Sequence, residues 1–338
     1  MHVLVTGGAG FIGTSFVRML LRDRPSYRVT NFDALTYSGN LENLTNIESD
    51  ERYTFVKGDV RDAALLDEVL PGVDAVVHMA AESHVDRSIM DSGPFVDSNT
   101  RGTQVLLDAW RRAHGNDKRF LYVSTDEVYG TLPLDDKNAL FTEETPLQTN
   151  SPYSASKAGG DLMVRAYHHT HGMDVVTTRC SNNFGPWQFP EKVIPLFVTN
   201  LLDGKKVPLY GDGRNVRDWL HVEDHCEAVL TVLEKGRSGE VYNVGGNNER
   251  SNLELTHSIL SIMGHGDEMI EYVKDRPGHD LRYAIDASKI KDELGWEPTR
   301  SVWPGALEDT VRWYSESRFW WERVRSGAYQ SYYETQYG

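Results

Sequence analysis

The chain has only two cysteines, Cys180 and Cys226, in 338 residues. Two are too few for a disulfide framework, and a reducing cytosol is the compartment they fit. Runs of about 18 apolar residues are missing, so no segment reads as a transmembrane helix. An apolar stretch such as Ala75–Ala81 is only as long as a buried strand. The opening residues Met1-His2-Val3-Leu4-Val5-Thr6 have no basic region and no long apolar region, so no secretory signal is expected. Positive charge is also in short supply, with 35 Lys and Arg against 50 Asp and Glu and a net charge of −15. Nucleic acid needs a broad basic face, so it is not the expected partner, although a local basic pocket for a small phosphate remains open. Internal repeats and low-complexity segments are absent too. What is present, 39% apolar and 25% charged residues, is globular, and the length fits one or two domains.

Up to about residue 180, short β-branched runs alternate with longer helical patterns. The strands expected are His2–Thr6, Arg28–Asp33, Tyr53–Lys57, Ala75–Met79, Phe120–Ser124 and Asp174–Arg179. The helices between them are Phe11–Arg22, Ala63–Leu70, Phe95–His114 and Tyr153–Thr170. Such alternation implies right-handed crossovers and a doubly wound parallel α/β sheet of Rossmann type, covered on both faces. Beyond 180 the rhythm loosens and prolines and glycines cluster. The division expected is a dinucleotide-binding domain over 1–180 and a smaller α/β substrate domain over 181–338. Helical segments and the strand near 207–221 are free to rejoin the first. The later elements expected are Glu240–Val244, Leu253–Met263 and Gly305–Trp320. The aromatic tail from Trp320, with Tyr329, Tyr332, Tyr333 and Tyr337, is expected to pack loosely on the surface.

Val3 to Gly13 reads as strand, glycine turn and helix start, with Gly8-x-Gly10-x-x-Gly13 inside it. Gly10 lets backbone approach a pyrophosphate, Gly13 lets the helix press on the sheet, and the helix N-terminus offers free N–H groups. Asp33 lies 20 residues after Gly13 at the end of the second strand. There a carboxylate accepts both ribose hydroxyls and repels a 2′-phosphate, which favours NAD over NADP. Asp59 ends the next strand and is either an adenine contact or a helix N-cap.

Ser151-Pro-Tyr-Ser-Ala-Ser-Lys157 opens a helix, and Tyr153 and Lys157, four apart, share a face. An ammonium beside a phenol lowers its pKa, so Tyr153 is the expected base. A second Tyr-x-x-x-Lys, Tyr53 to Lys57, sits on a strand, where residues four apart are about 13 Å apart and too distant to pair. Thr125, Asp126 and Glu127 follow the fifth strand, and the carboxyl ends of such strands face the ligand crevice. Adjacent acids can split their pKa values, one staying protonated and one ionising, which gives an acid and a base on one substrate. Arg217 and Arg276 are forked donors suited to a diphosphate. Lys192 is either a helper there or a surface lysine. Asn182 and Asn252 either read hydroxyls and phosphate or serve as a loop bend and a helix cap.

These segments, with Asp33–Asn40, Ala80–Ser88, Cys180–Pro186, Pro190–Pro195, Arg217–Asp224 and Asp275–Tyr283, resemble the extended short-chain dehydrogenase/reductases. Within them the chain is similar to the dTDP-glucose 4,6-dehydratase family over about residues 1–320. The most specific element is Thr125-Asp126-Glu127; epimerases lack an acid pair there, and related decarboxylases and GDP-mannose dehydratases keep only the second acid. The resemblance implies a hydro-lyase with tightly bound NAD that turns dTDP-glucose into dTDP-4-keto-6-deoxyglucose, feeding rhamnose or antibiotic deoxysugars. It implies that Tyr153, assisted by Lys157, takes the C4 hydroxyl proton while C4 gives hydride to NAD. Glu127 then takes the C5 proton, Asp126 protonates the departing C6 hydroxyl, Thr125 bonds the 4-oxygen, and hydride returns to C6. The cofactor contacts implied are Gly7, Gly10, Phe11, Ile12 and Gly13 in the turn and Asp33, Leu35, Thr36, Asp59 and Val60 beyond it. Further along, the same resemblance implies Ala80, Ala81, Ser83, Ser98, Ser124, Tyr153, Lys157 and Asn183. The substrate contacts implied are Ser83, Thr125, Asn182, Lys192, Val193, Pro208, Tyr210, Arg217, Asn252, Arg276 and His279. A homodimer built through helices such as Phe95–His114 and Tyr153–Thr170 is implied as well.

No metal site is expected. His168, His169 and His171 lie at a polar helix end, and His221-x-x-x-His225 lacks the adjacent glutamate of a zinc helix. Cys180 reads as a buried small residue. The competing functions are another NAD-dependent nucleotide-sugar enzyme and an inactive NAD-binding regulator. The joint presence of Tyr153, Lys157, Asp126 and Glu127 argues against both.

Overall fold

The computed structural model describes residues 1–326. Seven parallel strands form the central sheet: β1 (His2–Thr6), β2 (Arg28–Asp33), β3 (Tyr53–Lys57), β4 (Ala75–His78), β5 (Arg119–Thr125), β6 (Val175–Cys180) and one much later strand. Six further strands follow β6, beginning with β7 (Asn182–Phe184), β8 (Val207–Tyr210), β9 (Val216–His221), β10 (Val241–Val244) and β11 (Glu249–Ser251). The last is β12 (Ile270–Val273). The order across the sheet is β10-β6-β5-β4-β1-β2-β3. Side chains of β1 explain why it needs cover on both faces. Val3 and Val5 join a core with Phe16, Val17, Cys226 and Val229, whereas Leu4 joins one with Phe32, Leu106, Trp110 and Tyr122. A continuous apolar run is what such a strand requires.

The return of residues 207–221 to this sheet, which the sequence leaves open, does not occur. β8 pairs with β12 in a two-stranded sheet, and β9 lies between β7 and β11 in a three-stranded one. The late strand that does join is β10, in parallel register with β6 from Val241↔Thr177 to Val244↔Cys180. Helix Val222–Lys235 provides the crossover cover, its Val229 and Val232 buried against the sheet. A separate core behind these smaller sheets collects Phe184, Phe197, Trp219, Leu255, Leu307 and Trp321.

Local chemistry sets the helix ends. Ser151 and Ser154 form a reciprocal capping box, Pro152 takes the first turn, and Gly172 ends helix Pro152–His171 in the left-handed conformation. The stretch expected as one helix from Phe95 to His114 contains a π-helical segment, Val96–Gly102, before Thr103–His114. Such widened turns are frequent beside functional sites. The helix expected over Gly305–Trp320 breaks at Ser317 into Gly305–Glu316 and Arg318–Val324. The start of the tail is not loose. Trp321 is buried, and Trp320 donates its indole N–H to Asn43 Oδ1 at 2.8 Å while its ring meets Trp187 and Trp313 edge-on. Apolar rings gain more by packing on the third core than by solvation. The tyrosines beyond 326 lie outside the described residues.

Candidate active site

Strand order reverses between β1 and β4, and open parallel sheets bind ligands beyond the carboxyl ends at that point. A cavity of about 380 Å³ lies there. It runs from the glycine turn past Asp33 to the acids after β5 and the first turn of helix Pro152–His171.

The glycine turn is shaped for backbone approach. A Cβ on Gly13 would sit 2.1 Å from the Gly7 carbonyl oxygen, and one on Gly8 would sit 2.3 Å from Asn31 Oδ1. A Cβ on Gly10 would meet nothing closer than 3.4 Å, so this position opens toward the cavity. Gly13 therefore lets the helix close on the glycine turn, and Gly10 leaves a bare surface beside the helix N-terminus. Asp33 is buried and accepts the N–H of Ala9 at 2.9 Å and of Leu35 at 2.8 Å. Burial pushes its carboxyl up, and these two donors work against that rise. Leu35, expected as a direct contact, does not border the cavity; with φ at +54° it turns the chain so that its N–H can hold Asp33. Every other residue expected to hold the cofactor borders the cavity. Asp59 is among them, clamped by Arg61 at 2.6 Å, and the helix N-cap is Asp62 instead. Ser124 Oγ is buried with no hydrogen-bond partner among the described residues. A bare glycine turn, a carboxylate at the second strand end and an orphaned hydroxyl on β5, across the switch point, fit an extended dinucleotide.

Thr125 ends β5 and caps the short turn Asp126–Tyr129, its hydroxyl accepting the Glu127 N–H at 3.3 Å. Asp126 is buried, and its Oδ2 has no partner among the described residues. Burial, then Glu127 and Asp218, hold its carboxyl well above the usual range. Glu127 is raised by burial as well, but Arg276, Arg217 and Lys192 pull it back toward the charged form. The two acids are therefore unlike, with Asp126 the proton holder.

Tyr153 and Lys157 are both buried and both border the cavity. The expected lowering of the phenol pKa is not seen. Burial, then the charge of Glu127, holds Tyr153 well above its ordinary value. The Lys157 ammonium donates to the Val123 carbonyl at 2.8 Å and lies over the Tyr122 ring. Burial brings Lys157 down to about 8. Burial also pushes the Cys180 thiol up to about 12, which makes it a poor nucleophile.

The expected substrate residues divide. Ser83, Thr125, Asn182 and Lys192 border the cavity. Lys192 is no surface lysine, since its ammonium donates to the Ser83 carbonyl at 2.7 Å. Val193, Pro208, Tyr210, Arg217, Asn252, Arg276 and His279 do not border it. Four of them are engaged with other groups. Arg276 and Tyr210 meet on Asp86 at 3.2 and 3.1 Å, Arg217 lies over Tyr283, and His279 bonds Asp275 at 2.6 Å. Asn252 is not the N-cap of its helix; Ser251 is. Sequence reasoning missed Tyr37 and Glu191, which border the cavity from distant parts of the chain. Arg87 joins them, lying over the Tyr37 ring at 4.0 Å and bonding Glu191 at 3.1 Å. Among the described residues, no group of three or more His, Cys, Asp or Glu side chains is placed to hold a metal ion.

The fold and these residues define an NAD-dependent enzyme of the short-chain dehydrogenase/reductase type, with an acid pair added beside its Tyr-Lys couple. Residues 4–306 match the family model described as GDP-mannose 4,6 dehydratase, and the chain belongs to that family. It is 55% identical over 326 residues to the dTDP-glucose 4,6-dehydratase of an Actinoplanes species, covering 95% of this chain and 100% of the relative. Against the dTDP-glucose 4,6-dehydratase of Streptomyces niveus it is 52% identical over 330 residues, 96% of each. The dTDP-glucose 4,6-dehydratase structure from Streptomyces venezuelae, solved with NAD and dTDP, matches with a TM-score of 0.92. Identity there is 53%, over 96% of this chain and 100% of that one.

Proposed function

We infer that the chain is a dTDP-glucose 4,6-dehydratase, a hydro-lyase that converts dTDP-glucose to dTDP-4-keto-6-deoxyglucose and water. The observation that carries this reading is the unlike acid pair, Asp126 and Glu127, in the same cavity as Tyr153 and Lys157. Dehydrogenation alone needs a base; removing water also needs an acid at the leaving hydroxyl and a second base at carbon.

NAD, held by the glycine turn, Asp33 and the residues around Ala80, Ser98 and Asn183, supplies a cationic ring that accepts hydride from the sugar and returns it. Tyr153, as phenolate, takes the C4 hydroxyl proton. A cation must stand beside the phenol to bring it down from its raised position, and Lys157, one turn along the helix, is the protein's own. The 4-ketone acidifies the C5 proton, which Glu127 takes. Asp126 gives its proton to the departing C6 hydroxyl, and the C6–O bond breaks to release water. Glu127 returns its proton to C5. Tyr153 ends with one proton more and Asp126 with one fewer, which exchange with solvent restores.

Arg217, Arg276 and Lys192 are the cations for the diphosphate. Residues 1–180, completed by helix Val222–Lys235 and β10 and joined by Asn183, carry the dinucleotide, and the smaller sheets beyond 180 read the nucleotide sugar. A homodimer is supported by exposed apolar side chains on adjoining elements: Met90 is 62% exposed, Leu162 53% and Val96 51%. A cytosolic site is supported by two free, buried cysteines. The test is incubation with dTDP-glucose and mass analysis of the nucleotide sugar. Loss of one water without added NAD is expected. A product that keeps its C6 hydroxyl would refute the reading.

A further inference from the structure

We propose that Arg179 is a positioning residue that holds the helix bearing Tyr153 and Lys157 at a fixed distance from the turn bearing Asp126 and Glu127. The inference rests on the dehydratase reading and adds a residue to it. Arg179 lies in β6, in register with Ser124 of β5, two residues before the Asp126–Tyr129 turn. Its guanidinium grips Asp161 with two bonds of 2.8 Å, from Nε and Nη2. Asp161 follows Lys157 by four residues on helix Pro152–His171, so the grip fixes the turn of helix beside the ammonium. The remaining arm, Nη1, donates to the Tyr129 hydroxyl at 3.0 Å, and the guanidinium lies over that ring at 5.0 Å. Tyr129 closes the Asp126–Tyr129 turn. One planar fork thus touches both catalytic elements.

The direction of each bond is forced. Arginine only donates, so the Tyr129 oxygen accepts and its own proton goes to Asn243 Oδ1 at 2.7 Å. The Asn243 amide then donates to the Phe141 and Asp286 carbonyls at 3.1 and 3.2 Å. The chain therefore has one satisfied arrangement and is anchored on β10. None of Tyr129, Asp161, Arg179 and Asn243 borders the cavity, so none of them is placed to touch substrate. The ion pair is closed to solvent, its side chains 6% and 2% exposed. A buried ion pair is a weak source of stability compared with apolar packing, so stability alone does not explain this one. Fixing geometry does: misplacement of a reacting group by about 1 Å costs on the order of 10²-fold in rate.

The test compares Tyr129→Phe and Arg179→Lys with the wild type under single turnover of dTDP-glucose. NADH formation reports oxidation, and loss of water by mass reports elimination. Tyr129→Phe cuts the Tyr129 hydroxyl's bonds to Arg179 and Asn243 and leaves the Asp161 grip intact, so elimination should slow about 10–100-fold while oxidation, KM and bound NAD stay near wild type. Arg179→Lys keeps the charge and loses the fork, so both steps should slow. If Arg179→Lys fails to fold, Tyr129→Phe decides alone. Equal slowing of both steps in Tyr129→Phe, or no slowing of either, overturns the proposal. If the wild type itself forms no dehydrated product, the failure belongs to the dehydratase reading.

Discussion

Replacing Asp126 with Asn separates elimination from oxidation. Asparagine keeps the shape of the carboxyl but has no acidic proton. General acid help is worth about 10²–10⁴-fold, or about 3–5 kcal/mol of barrier. Here about 10³-fold is expected, because the buried Oδ2 has no competing partner among the described residues and the neighbouring acid, Glu127, is committed to C5. Oxidation should slow far less, since Tyr153 and Lys157 are untouched, so NADH and a 4-keto sugar that retains its C6 hydroxyl should accumulate. Glu127→Gln should stop the same stage by a different failure. Solvent deuterium should still enter C5 in Asp126→Asn and should not in Glu127→Gln. The assay is single-turnover absorbance of NADH with mass analysis of quenched nucleotide sugar. Failure of both variants to reduce NAD at all would refute this division of roles. Stability gives a second check. Burial raises the folded pKa of Asp126, so the unfolded chain ionises first and wild-type stability falls as pH rises from the unfolded pKa toward the folded one. Asparagine cannot ionise, so Asp126→Asn should match the wild type in acid and exceed it in melting temperature at neutral and alkaline pH.

Asp33→Ala should weaken NAD about 10–100-fold and NADP much less, since the lost carboxylate binds one ribose and repels the other's phosphate; titration of both cofactors decides it. Tyr153→Phe should abolish NADH formation with substrate affinity nearly unchanged, read by rapid kinetics and equilibrium binding. Gly13→Ala would place Cβ 2.1 Å from the Gly7 oxygen and 2.7 Å from the Gly8 Cα, both backbone atoms. It should cost at least about 1–3 kcal/mol, with a lower melting temperature and loss of copurified cofactor.

The features legible in the sequence are those set by neighbours along the chain. The glycine turn, the capped start of helix Pro152–His171 and the acids after β5 each follow from residues within one turn or strand. Partners far apart in sequence were not legible. Whether 207–221 or 241–244 joins the sheet depends on register with β6, and both stretches read equally well as strands. Lys192 looks like a surface lysine until the fold brings the Ser83 carbonyl to it, 109 positions away. Tyr37 and Glu191 carry no local signal and meet only in the fold, where they bond each other and both touch Arg87. The raised position of the Tyr153 phenol and the anchoring of Lys157 are not legible for the same reason. Spacing puts Lys157 on its face of the helix, but the Val123 carbonyl on β5 holds the ammonium.

The central claim is a redox-neutral dehydration in which one site removes hydrogen from C4 and returns it to C6. The most direct measurement supplies dTDP-glucose carrying deuterium at C4 to the purified protein without added cofactor and locates the label. The account predicts a dehydrated 4-keto product with deuterium at C6 and NAD still bound to the protein. Label lost to solvent or to free NADH, or a product that keeps its C6 hydroxyl, would contradict it.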